Sequence, residues 1–414
     1  MSDAPRAAAR RSFDPAVPLL VLLVAALHAF HAARELVPIH DSFYTYVNFH
    51  VFYSHWLYEG ELVEWYPYGA LGLPAPLQLV ISFTPLQYLV GFAGALLGAR
   101  DTLSLYALSV FGEHALFAAG AYLCARRLFP SRASAVAIGV AAAGSVVWWT
   151  QGWFELRFFY LLPLVLACAL DFLDTRRPSR FWLTGAACVA WTMGNMPYFA
   201  GVWALVLVLV LGAPLVAARS AWRSLLAPAP SNLLAMALFA VPAAALVYVG
   251  AHAFDGVVMR EEGRYPGTGA VPLNVFLTYG GNAEIGALVR GALRGWPVQL
   301  PWGTGMDTSA YVGLLPLAAC ALALVRERSR LWIGMLVAAV VLVLLSFGGA
   351  VAKLAYHVPG VSLFRHIGLV YGLVKCLAIL GAGFGLEGLW RLRAAGRGRA
   401  AAAGVAAAAA VACA

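Results

Sequence analysis

The stretch YFAGVWALVLVLVLGAPLVA, residues 198–217, decides the fold class, because it contains no charged side chain over its whole length. A helix of this length rises about 30 Å, which matches the hydrocarbon core of a bilayer. Comparable apolar runs recur near residues 16–37, 76–98, 103–125, 133–150, 157–173, 181–196, 232–252, 309–325, 331–348, 369–390 and 401–414. The sequence therefore predicts an all-α polytopic membrane protein.

Composition supports a membrane environment and excludes nucleic acid as a partner. Hydrophobic residues make up 62% of the chain and charged residues only 11%, whereas a soluble domain carries about 25% charged residues. The net charge of +9 comes from short arginine clusters between apolar runs, where they orient the protein among membrane lipids. The six cysteines lie in apolar segments without a C-x-x-C pair, which favours buried small side chains over metal or redox chemistry.

Topology depends on the run 76–98. Pro76 and Pro85 interrupt this run, and each remaining piece is too short to cross the bilayer alone. Treated as a re-entrant or interfacial hairpin, it leaves all the short arginine clusters on the cytoplasmic side. These clusters are Arg6/Arg10/Arg11, Arg126/Arg127/Arg132, Arg176/Arg177/Arg180, Arg219/Arg223, Arg326/Arg328/Arg330 and Arg391/Arg393/Arg397/Arg399. We predict about 10–11 transmembrane helices in the inner (plasma) membrane, with a cytoplasmic N-terminus.

This topology divides the chain into a transmembrane domain, residues 1–390, and a short C-terminal part. The domain carries three outer loops, 38–102, 253–308 and 349–368. Residues 391–414 are predicted to form a basic cytoplasmic loop and a marginal or truncated last span, because the alanine-rich run 401–414 rises only about 20 Å.

The first outer loop carries the most informative acid, Asp41, where the chain leaves the first span. A carboxylate there can position a divalent cation or accept a proton from a hydroxyl group. A helix cap or a solvated surface acid explains the same residue, and the residues alone leave these alternatives open. The segment 43–58 then places aromatic residues at helical spacing, which predicts a helix lying in the membrane interface.

The order of these features resembles the YfhO-like membrane proteins, within the GT-C glycosyltransferase superfamily. An acid after the first span precedes an aromatic helix, the turn Trp65-Tyr66-Pro67-Tyr68 to Pro74, and a proline-broken hairpin. Later stretches agree with the family pattern: Tyr160-Leu161-Leu162-Pro163-Leu164, Gly194-Asn195-Met196-Pro197, Tyr311-Val312-Gly313-Leu314-Leu315-Pro316-Leu317, and Phe364-Arg365 before Gly381-Ala382-Gly383. The resemblance covers most of residues 16–390, although many relatives are longer.

The resemblance implies a GT-C-like bundle and transfer of a sugar on the non-cytoplasmic face. The donor would be a polyprenyl-phosphate sugar, and the acceptor an envelope glycan or lipid. Asp41 matches the superfamily's catalytic acid in the first loop, and Glu155 in the next outer loop would be the second. These two acids would also hold a divalent cation, Mg²⁺ or Mn²⁺. The alternative for Glu155 is a surface pair with Arg157 that contributes little.

Basic residues on the outer side suggest where the lipid phosphate binds. Arg365 and His366 precede a span near headgroup depth, and a guanidinium offers paired donors to phosphate. Lys375 lies deeper, where an unshielded cation is costly and faces a cavity or a partner. His40, Trp65, Tyr68 and Arg157 complete the predicted substrate-binding set.

We therefore expect an inverting membrane glycosyltransferase. A lipid or glycan transporter or flippase is the alternative, favoured by Lys375, and a non-catalytic membrane scaffold on the same fold is another. ATP hydrolysis is not expected, since the sequence has no phosphate-cradling P-loop.

Overall fold

The structure, a computed structural model, describes residues 14–32, 41–61, 65–66, 73–74, 83–145, 160–194, 196–218, 225–226, 229–252, 271–278, 285–294, 311–363, 367–396 and 403. The helices are α1 Ala16–Ala32, α2 Asp41–Val51, α3 Pro85–Leu96, α4 Thr102–Leu128, α5 Arg132–Ala143, α6 Leu162–Thr175, α7 Pro178–Thr192, α8 Met196–Ala217, α9 Pro230–His252, α10 Leu273–Thr278, α11 Ile285–Arg294, α12 Leu314–Arg326, α13 Arg330–Ser346, α14 Ala350–Tyr356 and α15 Tyr371–Ala394. A π-helical segment, Phe52–Glu59, continues α2, and 3-10 turns cover Val361–Leu363 and Ile367–Val370. Two short strands, β1 Trp65–Tyr66 and β2 Leu73–Pro74, pair antiparallel.

The chain is a helical membrane protein. Four helical stretches are long and apolar enough to cross a bilayer, namely Thr102–Leu128, Ala200–Ala217, Pro230–Tyr248 and Tyr371–Ala394. A fifth is obtained when α13 and α14, which meet at a bend of 101°, count as one broken span. The remaining apolar helices among the described residues, such as α5, are shorter than a bilayer crossing. The total of about 10–11 spans and the GT-C-like fold therefore stay predictions.

Two helices organise the bundle. Helix α4 is contacted by α1, α3, α5 and α6, and its side chains Tyr106, Phe117 and Tyr122 are fully buried. Helix α15 is contacted by α12, α13 and α5. Glycines allow the close approach: a Cβ on Gly385 of α15 would lie 1.9 Å from the carbonyl oxygen of Ala319 in α12. Helices in lipid associate through close packing at small residues, because the hydrophobic effect does not drive their association there.

One end of the bundle is held by ion pairs, and we call it the arginine end. Asp14, just before α1, lies 2.6 Å from Arg132 at the start of α5 and accepts a hydrogen bond from the Tyr122 hydroxyl at 2.5 Å. At the same end, Asp171 of α6 pairs with Arg127 of α4 at 2.7 Å and with Arg180 of α7 at 3.0 Å. The start of α1, the end of α4, the start of α5, the end of α6 and the start of α7 therefore lie together at this end of the bundle.

The pairing of Asp14 with Arg132 bears on the topology. Two residues in contact outside the bilayer lie on the same side, so an even number of crossings separates them. In the predicted topology the apolar runs 16–37 and 103–125 supply two crossings. Helix α3 between them has only 12 residues and rises about 18 Å. This geometry favours the prediction that the run 76–98 does not cross the bilayer.

The opposite end of α4 is packed by rings, and we call it the aromatic end. The His50 Nδ1 and the Thr102 Oγ1 are hydrogen-bonded at 2.8 Å, which holds α2 across the first turn of α4. The Tyr53 hydroxyl donates to the carbonyl of Ala99 at 2.5 Å. Phe49 and Phe83 are buried in the same contact. The sequence prediction of an aromatic helix over residues 43–58 is confirmed, with the added feature that its second half is π-helical.

Candidate functional site

Most residues predicted to form the site fall outside the described part of the chain. Asp41 is the first residue of α2, and Trp65 lies in β1 opposite Pro74. For these two residues the structure describes the backbone alone. His40, Tyr68, Glu155, Arg157, Arg365 and His366 lie outside the described residues. Convergence of these residues on one cavity therefore stays a prediction.

Lys375 is the one predicted site residue whose side chain is described. It is fully buried in α15, in a segment whose other core residues include Leu373, Cys376 and Leu377. It stands 12 positions before Glu387, which corresponds to about 18 Å along the helix. Glu387 accepts a hydrogen bond at 3.2 Å from Ser134, two residues after Arg132 of the arginine end. A buried lysine at this depth is costly unless it serves a partner or a cavity, and the role of Lys375 in binding substrate stays a prediction.

A second buried ionisable residue, Glu113, lies in the middle of α4. Its Oε1 accepts a hydrogen bond from the Thr84 hydroxyl at 2.6 Å, and both side chains are fully buried. Glu113 stands 14 positions before Arg127, or about 21 Å from the arginine end along the helix. An ionisable residue at this depth in a membrane span is a functional-site candidate by default.

Thr84 brings Glu113 to the start of α3 through a capping box. The backbone N–H of Gln87 donates to the Thr84 hydroxyl at 3.3 Å, and the backbone N–H of Thr84 donates to Gln87 Oε1 at 2.9 Å. The reciprocal bonds satisfy two backbone donors at the helix start. Because Oε1 is the acceptor, the amide orientation of Gln87 is fixed, and its buried Nε2 donor has no hydrogen-bond partner among the described residues. An unmade buried hydrogen bond costs about 1–3 kcal/mol.

Gly194, between α7 and α8, packs against Thr84 at the start of α3. Gly194 has a positive φ of 79°, which only glycine adopts without strain. A Cβ there would lie 2.7 Å from the backbone nitrogen of Thr84. Gly194, from the stretch Gly194-Asn195-Met196-Pro197 that the sequence analysis singles out, therefore meets the start of α3.

A histidine pair lies on a neighbouring face of α4. The His114 Nε2 lies 2.9 Å from the carbonyl oxygen of Ala143, and its Nδ1 lies 3.0 Å from His28 Nε2. A carbonyl only accepts, so a neutral His114 donates through Nε2 and accepts from His28 through Nδ1. These hydrogen bonds are those of packing residues whose polar atoms are satisfied.

The sequence interpretation missed Thr84 and Gln87. The signal that identifies them is the Thr84-Pro85-Leu86-Gln87 order, a capping box with proline at the first helical position. Their meeting with Glu113 depends on a tertiary contact that no local pattern predicts.

Comparison with known proteins does not assign the chain to a family. The chain matches no protein-family model and none of the curated proteins searched. The resemblance to the YfhO-like proteins therefore stays a prediction based on short motifs.

Proposed function

We propose that the chain is a GT-C-type membrane glycosyltransferase that moves a sugar from a polyprenyl-phosphate donor to an acceptor on the non-cytoplasmic face. The observation that carries the proposal is the position of Asp41. It begins the helix α2, which is hydrogen-bonded through His50 to the first residue of α4, Thr102. An acid thus follows the first apolar helix at the aromatic end, which is where the resemblance assigns the catalytic acid.

The arginine end faces the cytoplasm in this proposal, and the aromatic end faces the envelope. The assignment follows the preference of short basic loops for the cytoplasmic side. Arg126, Arg176 and Arg391 add to the basic residues at the arginine end, beside the pairs that Arg127 and Arg132 form with acids. In the inner membrane, this arrangement gives Asp41 access to an envelope glycan or lipid acceptor.

Transfer would proceed by inversion at the anomeric carbon. The acceptor hydroxyl oxygen bonds to this carbon as the bond from carbon to the lipid phosphate oxygen breaks. Asp41 accepts the hydroxyl proton, and the polyprenyl phosphate leaves with the bonding electron pair. The resemblance also assigns Mg²⁺ or Mn²⁺ to Asp41 and Glu155, where the cation would supply charge neutralisation for the leaving phosphate. Arg365 and His366 would bind the same phosphate.

The test is Asp41→Asn, which removes the charge and keeps the size and most capping ability. A general base contributes about 10²–10⁴-fold in rate, so we expect sugar transfer in liposomes to fall at least about 100-fold. Asp101→Asn is the matched control, because Asp101 is an exposed acid at the same end that caps α4. Wild-type transfer by Asp41→Asn would remove Asp41 from catalysis.

Transport of a lipid or glycan is a second candidate, and the buried charges favour it. Glu113 and Lys375 are each fully buried in helices long enough to span the bilayer, and such residues mark transport pathways in other membrane proteins. A proteoliposome assay separates the candidates. Movement of a fluorescent polyprenyl-phosphate lipid between leaflets, with no sugar transferred, would replace the transferase proposal by the transporter.

A further inference from the structure

Three metal-ligating side chains meet at the end of the π-helical segment, in the aromatic end. The His55 Nδ1 lies 3.0 Å from an oxygen of Glu59 and 3.8 Å from an oxygen of Glu61. All three ligand atoms lie within 4.8 Å of one another. The three side chains are half-exposed or exposed, so an ion has access from solvent.

The local backbone builds this arrangement. His55 and Glu59 are four residues apart on the π-helical segment and therefore project from the same side. Gly60 then takes a positive φ of 74°, and the backbone N–H of Glu61 donates to the carbonyl of His55 at 2.8 Å. This turn brings Glu61 back over the helix that carries the other two ligands.

The segment beneath the ligands is firmly packed. Phe52 and Tyr53 are buried, and Leu57 packs against Gly91 of α3, where a Cβ would lie 3.1 Å from the leucine side chain. On the other side of the segment end, the Arg100 guanidinium lies 5.5 Å from the centre of the Tyr58 ring. The ligands therefore project from an anchored backbone, as a preorganised site requires.

Charge and geometry select the ion. A simple surface ion pair, which contributes little to stability, would explain why His55 lies beside Glu59. It would not explain why a second carboxylate, that of Glu61, lies beside the same imidazole. A divalent cation balances both carboxylates. Ligands of a tetrahedral zinc ion at 2.0–2.1 Å are about 3.3 Å apart, which falls between the two observed separations. Mg²⁺ and Ca²⁺ prefer oxygen ligands alone, so the imidazole favours zinc.

We propose that His55, Glu59 and Glu61 form a Zn²⁺-type metal site that clips the turn at Gly60 to the π-helical segment. The three protein ligands leave a fourth position for water or another ligand. The site is separate from the cation assigned to Asp41 and Glu155, and it stands whether or not the chain transfers sugar.

The test is isothermal titration of the full chain with Zn²⁺ in detergent, after treatment with a chelator. We expect saturable binding that is at least about tenfold weaker in His55→Ala and in Glu61→Gln, because each loses one of three ligands. His357→Ala is the matched control, since His357 is an exposed histidine elsewhere and its loss should leave the affinity unchanged. Excess Mg²⁺ should not displace the bound zinc.

A second variant tests the turn itself. Gly60 has open space around its Cβ position, so Gly60→Ala introduces backbone strain without a clash. We expect weaker Zn²⁺ binding with an unchanged elution volume in size exclusion. Equal zinc affinity in the wild type, His55→Ala and Glu61→Gln, or no zinc binding by the wild type, would overturn the proposal.

Discussion

The arginine end and the aromatic end hold different partners of α4 by different kinds of contact. At the arginine end, acids and arginines from separate helices meet directly, as Asp171 does with Arg127 and Arg180. At the aromatic end, stacked rings and neutral hydrogen bonds join α2 and α3 to α4, as in the contact of His50 with Thr102. The first kind of contact is long-range and sensitive to salt, whereas the second is short-range and directional.

The difference indicates that the two ends have different roles, one in the arrangement of the helices and the other in chemistry. Ion pairs between helix ends fix which ends share a side of the membrane, because a mispaired end would leave charges without partners. The aromatic end instead carries features that a packing role alone does not explain. These are the hydrogen bond from Thr84 at the start of α3 to the buried Glu113 of α4, the π-helical segment and the group of His55, Glu59 and Glu61. We expect stability to depend most on the first end and chemistry on the second.

The largest expected effect concerns sidedness. Arg100→Cys and Arg132→Cys place thiols at opposite ends of α4, so a membrane-impermeant maleimide should label each from a different side of intact cells or inverted vesicles. The unmodified chain controls for native cysteines, of which Cys124 and Cys376 are buried. Labelling of both from one side would break the comparison, because the two ends would no longer lie across the bilayer.

The next effect concerns close backbone packing. Gly385 lies two residues before Glu387, which accepts a hydrogen bond from Ser134 beside the arginine end. Alanine at Gly385 would press against the backbone of Ala319, whereas at Gly94 of the aromatic end it would meet the side chains of Leu105, at 2.7 Å, and Tyr53, at 3.2 Å. Overpacking costs about 1–3 kcal/mol where the neighbour cannot move. We expect Gly385→Ala to lower the thermal midpoint in detergent more than Gly94→Ala.

Gly388 supplies the matched control on the same helix. Its Cβ position is open, and alanine is favoured over glycine in a helix by about 0.5–1 kcal/mol, so Gly388→Ala should leave the midpoint unchanged or raise it. A smaller loss for Gly385→Ala than for Gly94→Ala would show that the arginine end is the looser one.

Sequence patterns predicted the helical class and the aromatic helix, because hydrophobicity and ring spacing are local properties. The arginine clusters predicted which helix ends gather, and the contact of Asp14 with Arg132 agrees with that grouping. The partners inside the bundle were not predictable. Nothing in the run around Glu113 indicates Thr84, 29 residues earlier, as its hydrogen-bond partner. The turn at Gly60 likewise depends on a positive φ angle. A glycine in the sequence allows this angle but does not predict it.

A third prediction separates the two kinds of contact by salt. Asp171→Asn leaves Arg127 and Arg180 without their shared carboxylate, and Thr84→Val removes the hydroxyl that donates to Glu113. Each change should cost about 1–3 kcal/mol. Raising the salt concentration should narrow the difference between wild type and Asp171→Asn, because partly exposed charges are screened. The Thr84→Val difference should stay constant, and equal salt responses would contradict the distinction.

The smallest expected effect is a pH dependence from two acids outside the spans, one at each end. The hydrogen bond from Tyr122 lowers the pKa of Asp14 below its ordinary value of 3.8, with a further contribution from Arg132. Hydrogen bonds from the Ser104 side chain and backbone lower the pKa of Asp101 in the same direction. A lowered folded-state pKa adds stability that is fully present above the ordinary value and is lost as pH falls through the lowered one.

Wild type should therefore exceed Asp14→Asn in thermal midpoint at pH 7, and the difference should close below about pH 4 as the wild-type carboxylate takes up its proton. Asp101→Asn should give a smaller difference, because asparagine also caps a helix well. Salt should narrow the Asp14 difference, since Arg132 contributes to it through charge, and should leave the Asp101 difference unchanged, since hydrogen bonds alone produce it. A difference for Asp14→Asn that persists unchanged from pH 7 to pH 3 would mean that its carboxylate does not stabilise the arginine end through its charge.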